Sequence, residues 1–304
     1  MTAAAKGRIR GKIDMVSAYF QLGMDPNDIF KTAFKTPFGM FEWLVMPQGL
    51  CNGPASCQRY MNYVLRKYIG RFCYVYLDDI VFWSDSIEEH TEHLHLILSA
   101  LREHGIIASI KKSILYADAI AFLGHIISSR GIEVANDKVD KILASHEPKS
   151  AQNVKEFNDL VNYIGQFIPS LAHWSTVLSD LTKKSIEFKW EPRHQKAFDN
   201  IKLLVKNTPI CKPIDYMNPD PIMVVADASN CAVGGYYGQG KDYKTMTPAG
   251  FHSRGLNPAE QNYPTHDKEM LAIIDCLKKW EPHLMGTCFE ILTDHAPLTH
   301  WKTQ

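Results

Sequence analysis

The sequence predicts an α+β fold in which acids cap the ends of apolar strands. Three observations carry this expectation. Phe72-Cys73-Tyr74-Val75 and Ile80-Val81-Phe82-Trp83 flank Asp78 and Asp79 like the arms of a hairpin, with the aromatic and β-branched residues that strands favour. Ser86 to His104 has helical periodicity with matching end signals. Two later apolar runs, Ile222–Asp227 and Phe289–Asp294, each end in an acid. At 304 residues with 45% hydrophobic and 22% charged content, the chain has room for two or three domains.

Residues 13–46 read as short strands broken at Pro26-Asn27 and Pro37-Phe38-Gly39. Pro54 to Tyr68 places Met61, Val64, Leu65 and Tyr68 at helical spacing. In the helix from Ser86, that serine is the cap and Glu88 and Glu89 suit the first turn. Leu94, Ile97, Leu98 and Leu101 make the buried stripe, and Gly105 is the stop. His90 and His93 share a face there, but His95 points elsewhere and no carboxylate completes a metal site, so a solvated helix face is expected. Phe122 to Ile127 reads as a strand turned by Ser128–Gly131. From Asp137 to about Lys184 the pattern is helical, with Val154, Phe157, Leu160, Val161 and Ile164 forming one stripe behind a Ser150 cap and Pro169 as an interruption. Prolines 209, 213, 219 and 221 mark a linker and a domain boundary near 215–220. A strand to Asp227, a glycine-rich hairpin over 234–240, a helix from Thr265 to Trp280 and the strand to Asp294 complete the chain.

Lys plus Arg (33) equals Asp plus Glu (33), which excludes a uniformly cationic surface yet allows a locally basic cleft. The seven cysteines are scattered, with no Cys-x-x-Cys, so a reducing compartment is expected and a zinc ribbon is not. Met1–Lys12 has no signal-peptide core, and no apolar run approaches the roughly 18–20 residues of a membrane span. The expectation is a soluble intracellular chain.

Asp14 ends the strand-like stretch Ile13-Asp14-Met15-Val16. Beside the hairpin it would complete a three-carboxylate cluster, which repels itself unless cations intervene. Two Mg2+ ions would then support in-line phosphoryl transfer. Asp227, Glu269 and Asp294 form a second such set, two acids at strand ends and one on a helix, while Asp267 faces away and is expected to be solvated.

The chain resembles the reverse transcriptase and RNase H region of Ty3/gypsy-type long-terminal-repeat retrotransposons. The first set of matching blocks is Lys12-Ile-Asp14-Met-Val-Ser-Ala-Tyr19-Phe-Gln21, Lys31–Gly39, Phe41–Leu50 with Met46-Pro47-Gln48-Gly49, Tyr76-Leu-Asp-Asp79 and Phe122-Leu-Gly124-His125. The RNase H blocks are Val225–Ser229, Phe251–Leu256, Glu260–Ile273 and Leu292-Thr-Asp294-His295. Ala18 and Phe20 depart from the Gly and His common in the first block without removing a ligand.

The resemblance implies a reverse-transcriptase palm with partial fingers over 1–127, a helical thumb-like segment over 128–185, a connecting segment over 186–219 and an incomplete RNase H-like α/β domain over 220–304. It implies that Asp14, Asp78, Asp79, Asp227, Glu269 and Asp294 are catalytic and hold Mg2+, with Mn2+ as a substitute. Tyr19 would be a steric gate against the 2′-hydroxyl, Gln48 and the Met15 carbonyl would serve nucleotide and metal, and Phe122, Leu123, Gly124 and His125 would hold the primer. Ser253-Arg254 fits either a substrate contact or a strand-end salt bridge.

The implied partners are RNA template, DNA primer, RNA–DNA hybrid and dNTPs, with no membrane. The implied setting is a dimer or larger Pol polyprotein, in the cytoplasm within a virus-like particle or in the nucleus. The missing first fingers segment and a fourth RNase H acid beyond Gln304 suggest a fragment cut at both ends, with an open fingers edge. The alternative is an inactive relic that at most binds nucleic acid. A pararetroviral origin shares these motifs.

Overall fold

The computed structural model describes residues 1–183 and 186–294. The chain divides into two compact units: Met1–Leu123 with Ile127–Ser129, and Gly124–Ile126 with the residues from Arg130 onward.

The first unit contains α1 (Thr2–Lys6), β1 (Ile9–Met15), β2 (Phe34–Thr36), β3 (Gly39–Phe41), α2 (Gly53–Val64), β4 (Cys73–Tyr76), β5 (Asp79–Ser84), α3 (Ile87–Glu103) and β6 (Ala108–Ala117). Its sheet has the order β4-β5-β1-β6, with each neighbouring pair antiparallel. Ile13, Met15, Ile80 and Phe82 of the sheet pack against Cys57, Met61 and Val64 of α2 and Ile97 and Leu101 of α3. Phe82 fits because β1 carries Gly11 opposite it: a Cβ there would lie 2.1 Å from the Phe82 ring. Each large apolar side chain buried this way contributes about 1.5–3 kcal/mol. β2 and β3 form a two-stranded ribbon on which Phe38 and Met40 are 91% and 73% exposed.

Ser86 caps α3 as its sequence predicts, its Oγ accepting the Glu89 N–H at 3.2 Å. The face it buries differs from the expected stripe. Leu98 is 41% exposed, whereas His90 is fully buried, so the expectation of a solvated histidine face is corrected. His90 Nε2 pairs with the Leu115 carbonyl at 2.9 Å, and the Ser84 hydroxyl lies 3.0 Å from His90 Nδ1 and 2.8 Å from His93 Nδ1. Both imidazoles stack on core rings, His90 on Phe82 and His93 on Phe72. Their polar edges are satisfied and their flat faces are apolar, so burial costs little. Burial also pushes the His90 pKa down, favouring the neutral ring these contacts need.

Arg10 is the largest fully buried side chain of this unit. Its guanidinium donates to the carbonyls of Ala4, Ala5, Gly7 and Asp118 at 2.6–2.8 Å, taking up the orphan carbonyls at the end of α1. Arg10→Met strands those acceptors. We expect a loss of about 3 kcal/mol in the free energy of unfolding, read from urea denaturation.

The strands β7 (Ala119–Phe122), β8 (His125–Ser128) and β9 (Gly131–Val134) follow where the chain passes from one unit to the other. The single strand expected over 122–127 is broken, because Leu123 and Gly124 adopt φ of 48° and 68° and make a tight turn.

The second unit continues with α4 (Asn136–Leu143), α5 (Ala151–Tyr163), α6 (Leu171–Ser179), α7 (Pro192–Lys206), β10 (Ile222–Ala228), β11 (Ala232–Gln239), β12 (Thr247–Gly255), α8 (Thr265–Leu284) and β13 (Phe289–Leu292). The Ser150 cap forms, with its Oγ accepting the Asn153 N–H, but Leu160 is 43% exposed and leaves the expected stripe. The sheet order is β12-β11-β10-β13, with β10 and β13 parallel. Val224, Ala226 and Val233 pack against Ala272, Cys276 and Trp280 of α8. Gly234 and Gly235 lie inside β11 rather than in a hairpin turn. A Cβ on Gly235 would sit 2.1 Å from the Val225 carbonyl, so the neighbouring strand requires glycine. Among the described residues, no helix is long and apolar enough to cross a membrane.

Candidate active sites

The first set of acids is assembled by strand register. β1 and β5 pair so that Asp14 stands directly opposite Asp79. Tyr76 pairs with Asp79 across the β4–β5 hairpin, which leaves Leu77 and Asp78 as a two-residue turn. The Met15 N–H donates to the Asp78 carbonyl at 3.2 Å and ties that turn to β1. Leu77 carries φ of 54°, a conformation common for glycine and rare for L residues other than Asn and Asp. Gln58 of α2 holds it there: its Oε1 accepts the Leu77 N–H at 2.8 Å, and its Nε2 donates to the Val75 carbonyl at 3.0 Å. A side-chain clamp thus replaces the usual turn glycine.

The three carboxylates do not stand alone. Lys12 Nζ lies 2.9 Å from Asp79 Oδ1, and Lys112 Nζ lies 3.7 Å from Asp14 Oδ1. That Asp14 oxygen is buried and has no hydrogen-bond partner. Asp78 is exposed at the turn. Sequence reasoning missed Gln58, Lys12 and Lys112 as parts of the site. Only Lys12 had a usable signal, since it precedes Asp14 by two residues and shares its face of β1.

Tyr19 sits in a 3₁₀ turn, Ala18–Gln21, where its ring approaches Gly53 at the start of α2. Its hydroxyl pKa is raised by desolvation, then by Cys57, Asp78 and Tyr76, which puts the ring on the Asp78 side of the palm. Gln48 is exposed in a turn completed by Gly49 at φ of 98°. Phe122 is buried and Leu123-Gly124 form the turn. His125 is 3% exposed, stacked with the Tyr163 ring and packed against the tilted Phe167 ring, with its Nδ1 unpartnered.

The second set of acids converges more tightly. Ligand oxygens of Asp227, Glu269 and Asp294 all lie within 4.8 Å of one another, the one such group among the described residues. Asp227 comes from β10, Glu269 from α8 and Asp294 from just beyond β13, where parallel pairing brings the two strand ends together. Glu269 is 5% exposed, with a buried Oε2 that has no partner. Burial, then Asp227 and Asp294, push its pKa up to about 7. Asp227 is raised too, by desolvation and then by Asp294. Mutual repulsion with an orphaned buried oxygen is what a hard divalent cation relieves, so the donor set fits Mg2+ or Mn2+. Asp267 is exposed, as expected. His295 lies outside the described residues.

The Ser253-Arg254 alternative has a definite geometry. Arg254 makes a two-pronged pair with Glu260 (2.8 and 3.1 Å) and bonds Asp275 through Nε at 2.9 Å; Asp275 also holds His252 at 2.7 Å. Ser253 Oγ accepts the Ala172 N–H from α6. These are the contacts of the salt-bridge reading.

Comparison with known proteins decides the family. Residues 2–127 match the family described as reverse transcriptase (RNA-dependent DNA polymerase), and residues 218–304 match the RNase H-like domain found in reverse transcriptase. The chain is 35% identical over 289 residues, 94% of its length, to the Transposon Tf2-3 and Tf2-4 polyproteins of Schizosaccharomyces pombe. The chain belongs to the reverse transcriptase–RNase H family of Ty3/gypsy-type retrotransposon polyproteins. It spans 22% of the length of those polyproteins. Its fold matches a foamy viral protease-reverse transcriptase in complex with double-stranded DNA. The TM-score is 0.83 at 23% identity, over 98% of this chain and 52% of that one. A second foamy viral structure, in complex with an RNA/DNA hybrid, matches with a TM-score of 0.79 at 22% identity, over 98% and 40%. A reverse-transcriptase palm followed by an RNase H-like domain is therefore the architecture of this chain.

Proposed function

We propose that this chain carries an RNA-directed DNA polymerase site on Asp14, Asp78 and Asp79 and a ribonuclease H site on Asp227, Glu269 and Asp294. The observation that carries the reading is the gathering of acids at strand ends in two separate sheets, Asp14 in register with Asp79 in the first and Asp227, Glu269 and Asp294 within 4.8 Å of one another in the second. The proposed division is palm and partial fingers over 1–127, thumb-like helices over 128–185, a connection over 186–219 and the nuclease domain from 220.

Carboxylates from each set would hold Mg2+ or Mn2+. Bound there, the metal would acidify the attacking oxygen and neutralise phosphate charge, which is worth several kcal/mol of barrier. The chain supplies the rest. The hairpin turn fixes Asp78 against β1, Tyr19 bounds the sugar side and favours dNTPs over ribonucleotides, and Gln48 and the Met15 carbonyl face the incoming nucleotide and its metal. Phe122 to His125 steady the primer end. Buried Glu269 stands beside Asp227 and Asp294, where a cation would take up their shared charge. RNA template, DNA primer and RNA–DNA hybrid are the proposed partners, within a polyprotein assembly in the cytoplasm or nucleus.

The test is incorporation of labelled dNTPs on a primed RNA template with Mg2+. Incorporation that stops with chelator supports the polymerase reading. A folded chain that binds the primed template and incorporates nothing would leave nucleic-acid binding as its activity. Gln58→Ala frees the Leu77 N–H and relaxes the turn. We expect primer extension to fall about tenfold through misplacement of Asp78, with little change in hybrid cleavage, measured on one substrate.

A further inference from the structure

We propose that Gln21 is a positioning residue for nucleotide selection. Its side-chain amide locks the turn carrying Tyr19 onto the palm sheet, and the strictness with which dNTPs are separated from ribonucleotides depends on that lock. The inference rests on the reading of Tyr19 as the residue that bounds the sugar.

β1 does not run straight into the Ala18–Gln21 turn. Ser17 stands just before the turn at φ of 45° and ψ of 53°, a left-handed conformation that a serine keeps only when its surroundings impose it. Two backbone bonds form within the turn, from the Phe20 N–H to the Ser17 carbonyl at 2.9 Å and from the Leu22 N–H to the Tyr19 carbonyl at 3.2 Å. Such short-range bonds have poor geometry and are a weak fastening for a segment that starts from a strained residue.

Gln21 supplies the missing fastening. Its Nε2 donates one hydrogen to the Val16 carbonyl, in the peptide unit that enters Ser17, and the other to the Ile107 carbonyl at 3.0 Å. Its Oε1 accepts the Ile107 N–H at 2.7 Å. The same Ile107 carbonyl accepts the Val16 N–H at 3.0 Å. The side chain thus prolongs the β1–β6 ladder beyond Met15 and Ala108, exchanging both bonds with Ile107 as a paired strand residue would. Every donor and acceptor of the amide is used, which fixes its orientation: a flipped amide would set Nε2 against the Ile107 N–H.

Tyr19 lies between the two ends of this clamp, Ser17 on one side and Gln21 on the other. Its ring has a backstop in α2, where Cε1 and Cδ1 lie 3.7 and 3.8 Å from the place a Cβ on Gly53 would occupy. A steric gate works by a clash with one hydroxyl, so a shift of about 1 Å in its backbone is enough to open it. Gln21 is what opposes that shift, from a partner 86 residues away in the chain.

The experiment reads single-nucleotide incorporation of dGTP and of GTP on a primed RNA template with Mg2+, as the ratio of the two kcat/KM values. Both substrates meet the same sample, so the ratio does not depend on how much of a variant is folded. Tyr19→Ala should lower it about hundredfold and Gln21→Met about tenfold. Added to Tyr19→Ala, Gln21→Met should change it by less than about twofold, because a clamp on an absent ring selects nothing. Gln21→Glu keeps the acceptor for Ile107 but sets a carboxylate oxygen against two carbonyls. It should match Gln21→Met and covers the case in which that variant aggregates. Hydrogen–deuterium exchange at the Phe20 and Leu22 amides needs no activity and should quicken about tenfold in both Gln21 variants. Equal losses of dGTP and GTP incorporation with the ratio kept would overturn the proposal, as would unchanged exchange or losses that multiply in the double variant. A Tyr19→Ala chain with the wild-type ratio would refute the reading of Tyr19 itself, and a wild-type chain that incorporates neither substrate would refute the polymerase reading; the inference falls with either.

Discussion

Asp78→Asn is expected to lower RNA-templated primer extension by about 10³-fold or more while hybrid cleavage continues. Metal stabilisation of the reacting oxygens is worth several kcal/mol, and each 1.36 kcal/mol is a factor of ten in rate. The side chain is exposed at a hairpin turn, so its replacement should move folding stability by no more than about 0.5 kcal/mol. The turn itself does not depend on the carboxylate, because backbone bonding to Met15 and the Gln58 clamp define it. A loss of extension together with an unchanged urea midpoint would place the effect in chemistry. A comparable loss of stability would place it in folding.

Glu269→Gln is expected to make the metal-free chain more stable above neutral pH and to abolish hybrid cleavage. The sign follows from the Glu269 pKa, about 7 when folded against an ordinary 4.5. Between those values the folded chain retains a proton that the unfolded chain releases, so stability falls as pH rises through the window. The accumulated loss above pH 7 is about 3 kcal/mol. Gln cannot ionise and removes that slope. In chelator, the melting temperature of the wild-type chain should therefore drop between pH 5 and 8 more than that of Glu269→Gln. Added Mn2+ should restore the wild type at pH 8 and do little for the variant. Equal pH slopes for the two proteins would contradict the assignment of Glu269 as the buried, repelled member of the set.

Much of this arrangement was legible in the residues. The Ser86 and Ser150 caps, the hairpin around Asp78 and the solvated Asp267 follow from local composition and periodicity, while the grouping of Asp227, Glu269 and Asp294 was implied by the family resemblance. What local reading misses is set by partners distant in sequence. His90 belongs to the core because the Leu115 carbonyl, 25 residues on, and the Ser84 hydroxyl satisfy its ring. Leu98 and Leu160 satisfy helical spacing, yet they stay 41% and 43% exposed among the described residues. The break at Leu123-Gly124 was hidden in an apolar run that resembles an unbroken strand. Gln58 reads as one more polar residue on a helix, and only the fold brings it to the turn 19 residues later. Gly234 and Gly235 suggest a turn, but close approach of the adjacent strand is what requires them.

The most direct test of two separate metal-dependent sites is one reaction that reports both products. A DNA primer on an end-labelled RNA template is incubated with dNTPs and Mg2+, using the wild-type chain, Asp78→Asn and Glu269→Gln. The account predicts extended primer and cleaved template from the wild type, cleavage without extension from Asp78→Asn and extension without cleavage from Glu269→Gln. Loss of both products in either variant, or of neither, would contradict it.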